Sequence, residues 1–155
     1  MNTILKITVV VIIAAILFSF TNCSGDKPSG NNTNETADAN PMNDKGIGPV
    51  TSVTVGTIDN TLADKGKEIF AAKCTPCHNT PDMDIKKIGP SLKGVTKRRT
   101  PEWIMNQILN PSEMTQKDPI AKDLLAKYIA QMANQNLTQD DARSVLEYFR
   151  QSDSK

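Results

Sequence analysis

Two cysteines and the only histidine of the chain stand together in Cys74-Thr75-Pro76-Cys77-His78. Two thiols three residues apart on one turn can form thioethers with the two vinyl groups of a haem, and the adjacent imidazole can bind its iron from one face. The spacing also permits a thioredoxin-type redox pair, half of a zinc site or a structural disulfide. A redox pair is typical of a βαβ context that the surrounding pattern lacks, and zinc would need a fourth ligand. The motif therefore predicts one covalently bound haem c, attached through Cys74 and Cys77, with His78 as an axial iron ligand.

The overall composition excludes several classes of protein. Lys and Arg number 18 against 17 for Asp and Glu, which gives no support to a nucleic-acid binder. With three cysteines, the chain cannot hold a framework of several disulfides. Hydrophobic residues make up 38% of the chain, and part of them lies in residues 7–20, so few apolar side chains remain for a core. A large bound group that completes the core is therefore expected.

Helical periodicity dominates from Ile58 onward and predicts an all-α domain of about four short helices. None of these helices is long enough to be stable alone, so they must pack on one another and on the bound group. Their predicted starts are a capping-box pattern at residues 61–64, Thr100-Pro101, Asp118-Pro119 and residues 138–141.

The N-terminal region has the pattern of an export signal. Lys6 precedes an apolar run over residues 7–20, which is too short on its own to cross about 30 Å of hydrocarbon at about 1.5 Å per residue. Phe20-Thr21-Asn22-Cys23 resembles a bacterial lipobox, although Asn22 departs from the usual small residue. Residues 1–22 are therefore predicted to be a lipoprotein signal peptide and Cys23 the lipidated residue. An uncleaved anchor over residues 4–20 and simple secretion are the alternatives. The lipidated form and the uncleaved anchor both place the domain in the periplasm, attached to a membrane.

Changes in composition divide the rest of the chain. Residues 23–45 are rich in Asn, Thr, Ser and Gly and predict a disordered tether. Alternating Val53 and Val55 within residues 46–57 predict an extended lead-in that packs on the domain. Residues 58–152 are the predicted domain, and residues 153–155 form a short tail.

Several features across this domain together resemble a known family. Besides the cysteine motif, they are Gly66 and Phe70 before it, Gly89-Pro90-Ser91-Leu92 after it, a late methionine at Met132, and Leu146-Glu147-Tyr148-Phe149 in the last helix. In these features residues 58–152 resemble a small bacterial class I cytochrome c, which carries one haem.

The resemblance implies a fold and a set of contacts. In the class I cytochrome c fold the first and last helices cross, so we expect Gly66 to let the backbones approach and Phe70 and Tyr148 to pack at the crossing. The resemblance also implies that the carbonyl oxygen of Pro90 accepts the Nδ1 proton of His78, which fixes the ring and strengthens it as a ligand.

A methionine is implied as the second axial ligand, and the domain offers two candidates. Met132 stands just before the last helix, where the family places its ligand, and Met114 is the runner-up. Met132 is also in helical register with Leu125, Tyr128 and Ile129, so packing in the core is the competing interpretation.

Coordination by His78 and Met132 would fill both axial positions, so the iron could exchange an electron and little besides. This predicts an electron carrier between membrane-associated respiratory donors and a terminal oxidoreductase, and not an enzyme. An open sixth position, as in a peroxidase, a sensor or a gas-binding protein, is the first alternative. A haem-free disulfide module is the second.

Polar residues after the motif are candidates for contacts with haem propionates and with partners. Trp103 could donate its indole N–H to a propionate or fill the core, and Arg98 or Arg99 could neutralise a propionate. A run of cations without an acid predicts a docking surface for an acidic redox partner, or else a solvated loop. We expect a monomer whose redox contacts are transient and bury less than about 1,200 Å². The basic run consists of Lys86, Lys87, Lys93, Lys97, Arg98 and Arg99.

Overall fold

The computed structural model describes residues 40–155, which form five α-helices and one short 3₁₀ helix and contain no strand. The α-helices are α1 (Asn60–Lys73), α2 (Pro101–Leu109), α3 (Pro111–Lys117), α4 (Pro119–Tyr128) and α5 (Gln139–Asp153), and the 3₁₀ helix is Val95–Lys97. The all-α class predicted from the sequence is therefore confirmed. No helix in this part of the chain has the length and apolar character needed to cross a membrane.

Side-chain caps define most of the helix starts. The Thr100 hydroxyl accepts from the N–H of Trp103, and the Asp118 carboxylate accepts from the N–H of Ala121, each ahead of a proline in the first turn. Thr138 and Asp141 form a reciprocal capping box at the start of α5. These three starts are confirmed. The start predicted at residues 61–64 is wrong, because α1 begins at Asn60 and Asp59 caps it by accepting from the N–H groups of Thr61 and Leu62.

Two further expectations about the helices are corrected. Residues 40–155 contain five α-helices instead of about four, because the chain forms the short helix α3 directly after Asn110, with Pro111 in its first turn. The apolar stripe of α4 does not include Ile129, which ends the helix in a left-handed conformation (φ 61°) and is 87% exposed. Met132 therefore lies beyond α4 in a loop and is not on the helical stripe.

The two longest helices, α1 and α5, cross at a glycine. A Cβ on Gly66 would lie 2.0 Å from the backbone oxygen of Ser144, so only glycine permits this approach. At the same crossing the ring of Phe70 lies 5.6 Å from that of Tyr148 and 5.8 Å from that of Phe149, centroid to centroid. The expected roles of Gly66, Phe70 and Tyr148 are confirmed. The core around the crossing is completed by Val50, Val95, Trp103, Ile104, Met105, Ile108, Met114, Val145 and Leu146.

A buried amide holds the chain ahead of α1 against α2. Asn106 Nδ2 donates to the carbonyl oxygens of Lys45 and Val50 at 2.9 Å each, and its Oδ1 accepts from the N–H of Val50 at 2.9 Å. Gly48 passes so close that a Cβ there would lie 2.4 Å from Asn106 Oδ1. Residues 45–50 thus close around one side chain, and we call this arrangement the Asn106 clasp.

The two ends of the predicted domain are the segment before α1 and the C-terminal end of α5. Residues 46–57 contain no helix or strand. Asp153, predicted to open the tail, is the last residue of α5, and its carboxylate accepts from the N–H groups of Gly94 (2.6 Å) and Thr96 (3.0 Å) beside the 3₁₀ helix. The predicted signal peptide, the lipidated Cys23 and most of the predicted tether lie outside the described residues.

Candidate functional site

The cysteine motif occupies one turn at the end of α1. Cys74 caps the helix, and its carbonyl oxygen accepts from the N–H of Cys77 at 3.1 Å and from that of His78 at 2.9 Å. Both thiols are free, with Cys74 half-buried and Cys77 exposed. The pKa of Cys74 is raised to about 11, mainly by burial and to a smaller extent by electrostatic repulsion from Cys77. A thiol with a raised pKa forms the reactive thiolate less readily than an ordinary cysteine, which disfavours Cys74 as the attacking thiol of a redox pair.

The His78 ring is held in one orientation by the following loop. Its Nδ1 lies 3.0 Å from the carbonyl oxygen of Pro90. A carbonyl oxygen can only accept, so Nδ1 carries the proton and the lone pair of Nε2 is free for a metal. Burial lowers the pKa of His78, and the Pro90 hydrogen bond opposes this only in part, which favours the neutral form of the ring that binds metals.

Gly89 is needed at its position beside this ring. A Cβ there would lie 2.4 Å from His78 Cε1, and the N–H of Gly89 donates to the Cys77 carbonyl oxygen at 2.9 Å. The chain of Gly89 and Pro90 therefore lies flat against the imidazole and ties it to the motif.

These groups open onto one apolar cavity. Its walls come from the end of α1, the loop around Pro90, and helices α2, α4 and α5, and from the loop after α4. The lining includes Cys74, Cys77, His78, Pro90, Leu92, Arg98, Arg99, Trp103, Ile104, Gln107, Ile108, Leu124, Tyr128, Met132, Val145 and Phe149.

The structure separates the two candidate methionines. Met132 is half-buried, lines the cavity, and has its Sδ 3.8 Å from Nε2 of Gln107. Met114 is fully buried in α3, and its Sδ accepts from the N–H of Ile47 at 3.0 Å. Met132 thus shares the cavity with the cysteine motif, whereas the sulfur of Met114 is occupied by the chain of the Asn106 clasp.

The candidate propionate contacts lie along the cavity wall with partners of their own. Trp103 Nε1 donates to Asp118 Oδ1 at 3.2 Å, so a bond to a propionate would have to replace this one. The guanidinium group of Arg98 donates to the carbonyl oxygens of Lys93 and Ser91, and that of Arg99 donates to the carbonyl oxygen of Arg98. Each guanidinium has five N–H groups, so both retain donors for a carboxylate.

Arg99 also contacts an aromatic ring. Its Cζ lies 5.2 Å from the centroid of the Trp103 ring. Burial and the neighbouring Arg98 lower the pKa of Arg99 from its ordinary value. A bound carboxylate would offset both effects, and both arginines line the cavity.

One residue of the cavity wall was missed by sequence reasoning. Gln107 lies between Ile104 and Ile108 on the face of α2 that lines the cavity, and its Oε1 is buried without a hydrogen-bond partner among the described residues. The available signal was a polar residue inside the apolar pattern of α2.

The residues present fit a haem c. Two thiols, a neutral imidazole with Nε2 free and a thioether line one apolar cavity, and these are the groups that attach haem c and bind its iron. A side chain at position 89 would displace the imidazole.

Comparison with known proteins agrees with this geometry. A family model described as cytochrome c matches residues 63–153. The solved structure of cytochrome c from Rhodothermus marinus is 44% identical with a TM-score of 0.66, and the match covers 69% of this chain and 90% of that one. The cytochrome c domain of the pp3183 protein from Pseudomonas putida is 29% identical with a TM-score of 0.52, covering 58% of this chain and 89% of that one.

A curated relative matches over a shorter segment. A cytochrome c-553-like protein from Synechocystis sp. is 42% identical over 48 residues, which make up 31% of this chain and 44% of that relative. The family model and the Rhodothermus structure together confirm the class I cytochrome c fold. The chain belongs to the cytochrome c family, whose members bind one covalently attached haem c with its iron.

Proposed function

We propose that this protein is a mono-haem electron carrier of the periplasm. The observation that carries the proposal is that Cys74, Cys77, His78 and Met132 line a single apolar cavity. When bound there, haem iron supplies one-electron exchange between the ferrous and ferric states. The chain's own residues attach the haem, hold the two ligands and exclude water.

Each residue of the site has a distinct part in this proposal. Cys74 and Cys77 would form the thioethers, and His78 would bind the iron through Nε2 while its Nδ1–H donates to the Pro90 carbonyl oxygen. Met132 is the second axial ligand. A thioether favours ferrous iron and raises the reduction potential relative to a second nitrogen ligand. With both axial positions filled, no site remains for peroxide or another substrate, which supports a carrier and not an enzyme.

The charged groups of the cavity wall meet the polar edge of the haem. Arg99 and Arg98 have donors to spare and would neutralise the propionates. Trp103 contributes its apolar ring and, if the bond to Asp118 is exchanged, its indole N–H.

The proposal includes a location and partners. Removal of residues 1–22 and lipidation of Cys23 would anchor the protein as a monomer on a membrane outside the cytoplasm, with residues 24–45 as the tether. Membrane-associated respiratory donors would reduce it, and a terminal oxidoreductase would oxidise it. The basic run would supply the contact with an acidic redox partner through a small, transient interface.

Replacement of the axial methionine tests the proposal. In protein matured with haem, we expect Met132→Ala to abolish the charge-transfer band of ferric iron bound to a thioether and to let the ferrous protein bind carbon monoxide. The reduction potential should fall by on the order of 0.1 V, within the ~0.8 V range that axial ligands span.

Met114→Leu is the matched control, since it removes a thioether at nearly constant volume. This variant should keep the band and stay inert to carbon monoxide. A Met132→Ala protein that remains six-coordinate with an unchanged potential would overturn the assignment. Carbon monoxide binding by the unmodified ferrous protein at neutral pH would instead indicate an open sixth position.

A further inference from the structure

Two carboxyl groups meet beside the indole N–H of Trp103. Asp118 is 1% exposed, and its Oδ1 accepts from Trp103 Nε1 at 3.2 Å and from the N–H of Ala121 at 2.7 Å. The side chain of Asp44 is hydrogen-bonded to that of Asp118. Two ionised carboxylates have no proton to donate to each other, so this bond requires that one of the two groups is protonated.

The backbone around Asp44 holds its side chain at this place. Its carbonyl oxygen accepts from the Thr100 hydroxyl, and its Oδ1 accepts from the N–H of Gly46 at 2.7 Å. A Cβ on Gly46 would lie 3.2 Å from Trp103 Cδ1, the ring atom bonded to Nε1, so the chain passes directly beside the indole N–H. The second carboxyl group therefore comes from the segment ahead of α1 and not from the helices that form the cavity.

The charges around the two carboxyl groups balance better when a proton is present. Arg99, in the turn before α2, is the cation on which both carboxyl groups act electrostatically. It is also proposed to neutralise a propionate, so it would not offset two further negative charges. On the chain next to Asp118, Lys117 is held in a salt bridge within α3 and Lys122 is exposed. One proton shared by the two carboxyl groups would remove the excess negative charge.

The environment of Asp118 favours this proton. Burial raises the pKa of Asp118, and the hydrogen bond and negative charge of Asp44 add to the rise. The N–H groups of Ala121 and Trp103 oppose it only in part. Asp118 therefore binds a proton at a higher pH than an ordinary aspartate, whose pKa is about 3.9. Asp44 is half-buried, which gives this proton a route to solvent.

We propose that Asp44 and Asp118 share one proton and hold it more tightly when the haem iron is ferrous; this rests on the proposed electron-carrier function. Trp103 lines the cavity and donates to Asp118, so its ring connects the two carboxyl groups to the proposed haem. Ferric iron has one more positive charge than ferrous iron and stabilises the doubly ionised form. In the pH range of this proton, reduction takes one electron from the redox donor and one proton from solvent, and oxidation returns both.

Substitutions by asparagine test the proposal in the haem-loaded protein. In the unmodified protein we expect the ferrous-to-ferric ratio at a fixed ambient potential to fall by about 3- to 10-fold from about pH 4 to about pH 8, because the added negative charge favours ferric iron. Asparagine is also a good helix cap and has the shape of a protonated aspartate, so Asp118→Asn keeps the start of α4 and a donor toward Asp44. This variant should lose the fall and keep the ratio of the low-pH form. Asp44→Asn should move the fall to lower pH, because Asp118 gains a donor and loses a negative neighbour.

Asp123→Asn is the matched control, since it removes the same charge from an exposed position of α4 and should leave the fall unchanged. Infrared difference spectra provide a second measurement. At a pH within the fall, reduction should add a band of a protonated carboxyl group, and Asp118→Asn should lack this band.

A reversible one-electron couple with a ratio independent of pH would overturn the inference and leave the proposed function intact. The same holds if Asp118→Asn retains the full fall or the carboxyl band. Absence of a reversible couple in the unmodified protein would instead refute the proposed function, and the inference with it.

Discussion

Glu147 shows how a single buried charge joins distant parts of the chain. Its side chain is 0% exposed, and its carboxylate accepts from Arg143, from Arg150 at 2.7 and 2.9 Å, and from the N–H of Asp59 at 2.9 Å. Arg150 also donates to the carbonyl oxygen of Gly56 at 2.6 Å. One carboxylate on α5 thus fixes the residue that caps α1 and the chain just before it.

Removal of this charge should destabilise the protein in a pH-dependent way. Burial by itself raises the pKa of Glu147, but the Asp59 N–H and the two guanidinium groups outweigh it, so the pKa lies below its ordinary value. We expect Glu147→Gln to lower the free energy of unfolding at about pH 7 by about 2–4 kcal/mol, because it leaves the half-buried guanidinium groups of Arg143 and Arg150 without their counter-ion.

The pH dependence follows from the direction of that shift. A depressed pKa contributes stability that is present above the unfolded pKa of about 4.3 and is lost as the pH falls through the folded value. The gap between Glu147→Gln and the unmodified protein should therefore narrow at about pH 3, as measured by denaturant titration. The exposed Glu68 of α1 provides the control, and Glu68→Gln should stay within about 0.5 kcal/mol at both pH values. A gap independent of pH would contradict the prediction.

Individual residues differ in how far the sequence predicted them. Cys74, Cys77 and His78 could be recognised because their chemistry depends on spacing within one turn. Asn106, Gln107 and Glu147 were not recognised as polar centres, since their partners are distant in sequence. Asn106 binds Val50 and Glu147 binds Asp59, at separations of 56 and 88 residues. No local pattern indicates such pairs.

At the level of elements, helix starts marked by a capping side chain and a proline were predictable. Thr100 and Asp118 each carry both signals, and their helices begin where expected. The first helix was misplaced because Asp59, two residues ahead of the expected Thr61, provides the cap. Helix α3 was not predicted because Asn110-Pro111 is also typical of a helix end, whereas here the proline occupies the first turn of a new helix.

The crossing of α1 and α5 should not tolerate a side chain at position 66. A Cβ at position 66 would lie 2.0 Å from the Ser144 oxygen and 2.5 Å from its carbonyl carbon, both backbone atoms that cannot rotate away. We expect Gly66→Ala to lower the free energy of unfolding of the haem-loaded protein by about 3 kcal/mol, since the helices must move apart.

Gly56→Ala is the matched control for this substitution. A Cβ at position 56 has no atom within 4 Å, so that variant should change stability by less than about 1 kcal/mol. Denaturant titration followed by helical circular dichroism measures both. Equal stability of the two variants would show that the crossing tolerates a side chain.

At the scale of the whole molecule, the basic run stands out against a nearly neutral chain with 18 basic and 17 acidic residues. The exposed members of the run are Lys86, Lys87, Lys93, Lys97 and Arg98, and Arg98 also lines the cavity. Lys87 donates to the Thr75 carbonyl oxygen at 2.7 Å, which places its cation directly beside the cysteine motif. Positive charge is therefore concentrated near the proposed haem.

Charge reversal in this run should slow electron transfer to an acidic redox partner. We expect Lys86→Glu combined with Lys93→Glu to lower the second-order rate constant at low ionic strength by about tenfold. The difference should vanish near 1 M salt, where the screening length is about 3 Å. Stopped-flow mixing at a series of salt concentrations measures both effects.

The control separates position from net charge. Lys65→Glu with Lys67→Glu makes the same change of charge on α1, outside the basic run, and should have a smaller effect. Equal slowing by the two double variants, or a rate that does not depend on salt, would remove the docking role of the run.

The Asn106 clasp has a mechanical consequence. Residues 44–50 are held against α2 and its capping residue, so a pull on the chain from its N-terminal side first loads the hydrogen bond from Thr100 to the Asp44 carbonyl oxygen and then the three hydrogen bonds of Asn106. Those bonds must shear before tension can reach Asp59 and the helix that bears the cysteine motif. If the N-terminus is anchored to a membrane as proposed, these bonds would bear a force on the tether before it reached the residues proposed to bind the iron.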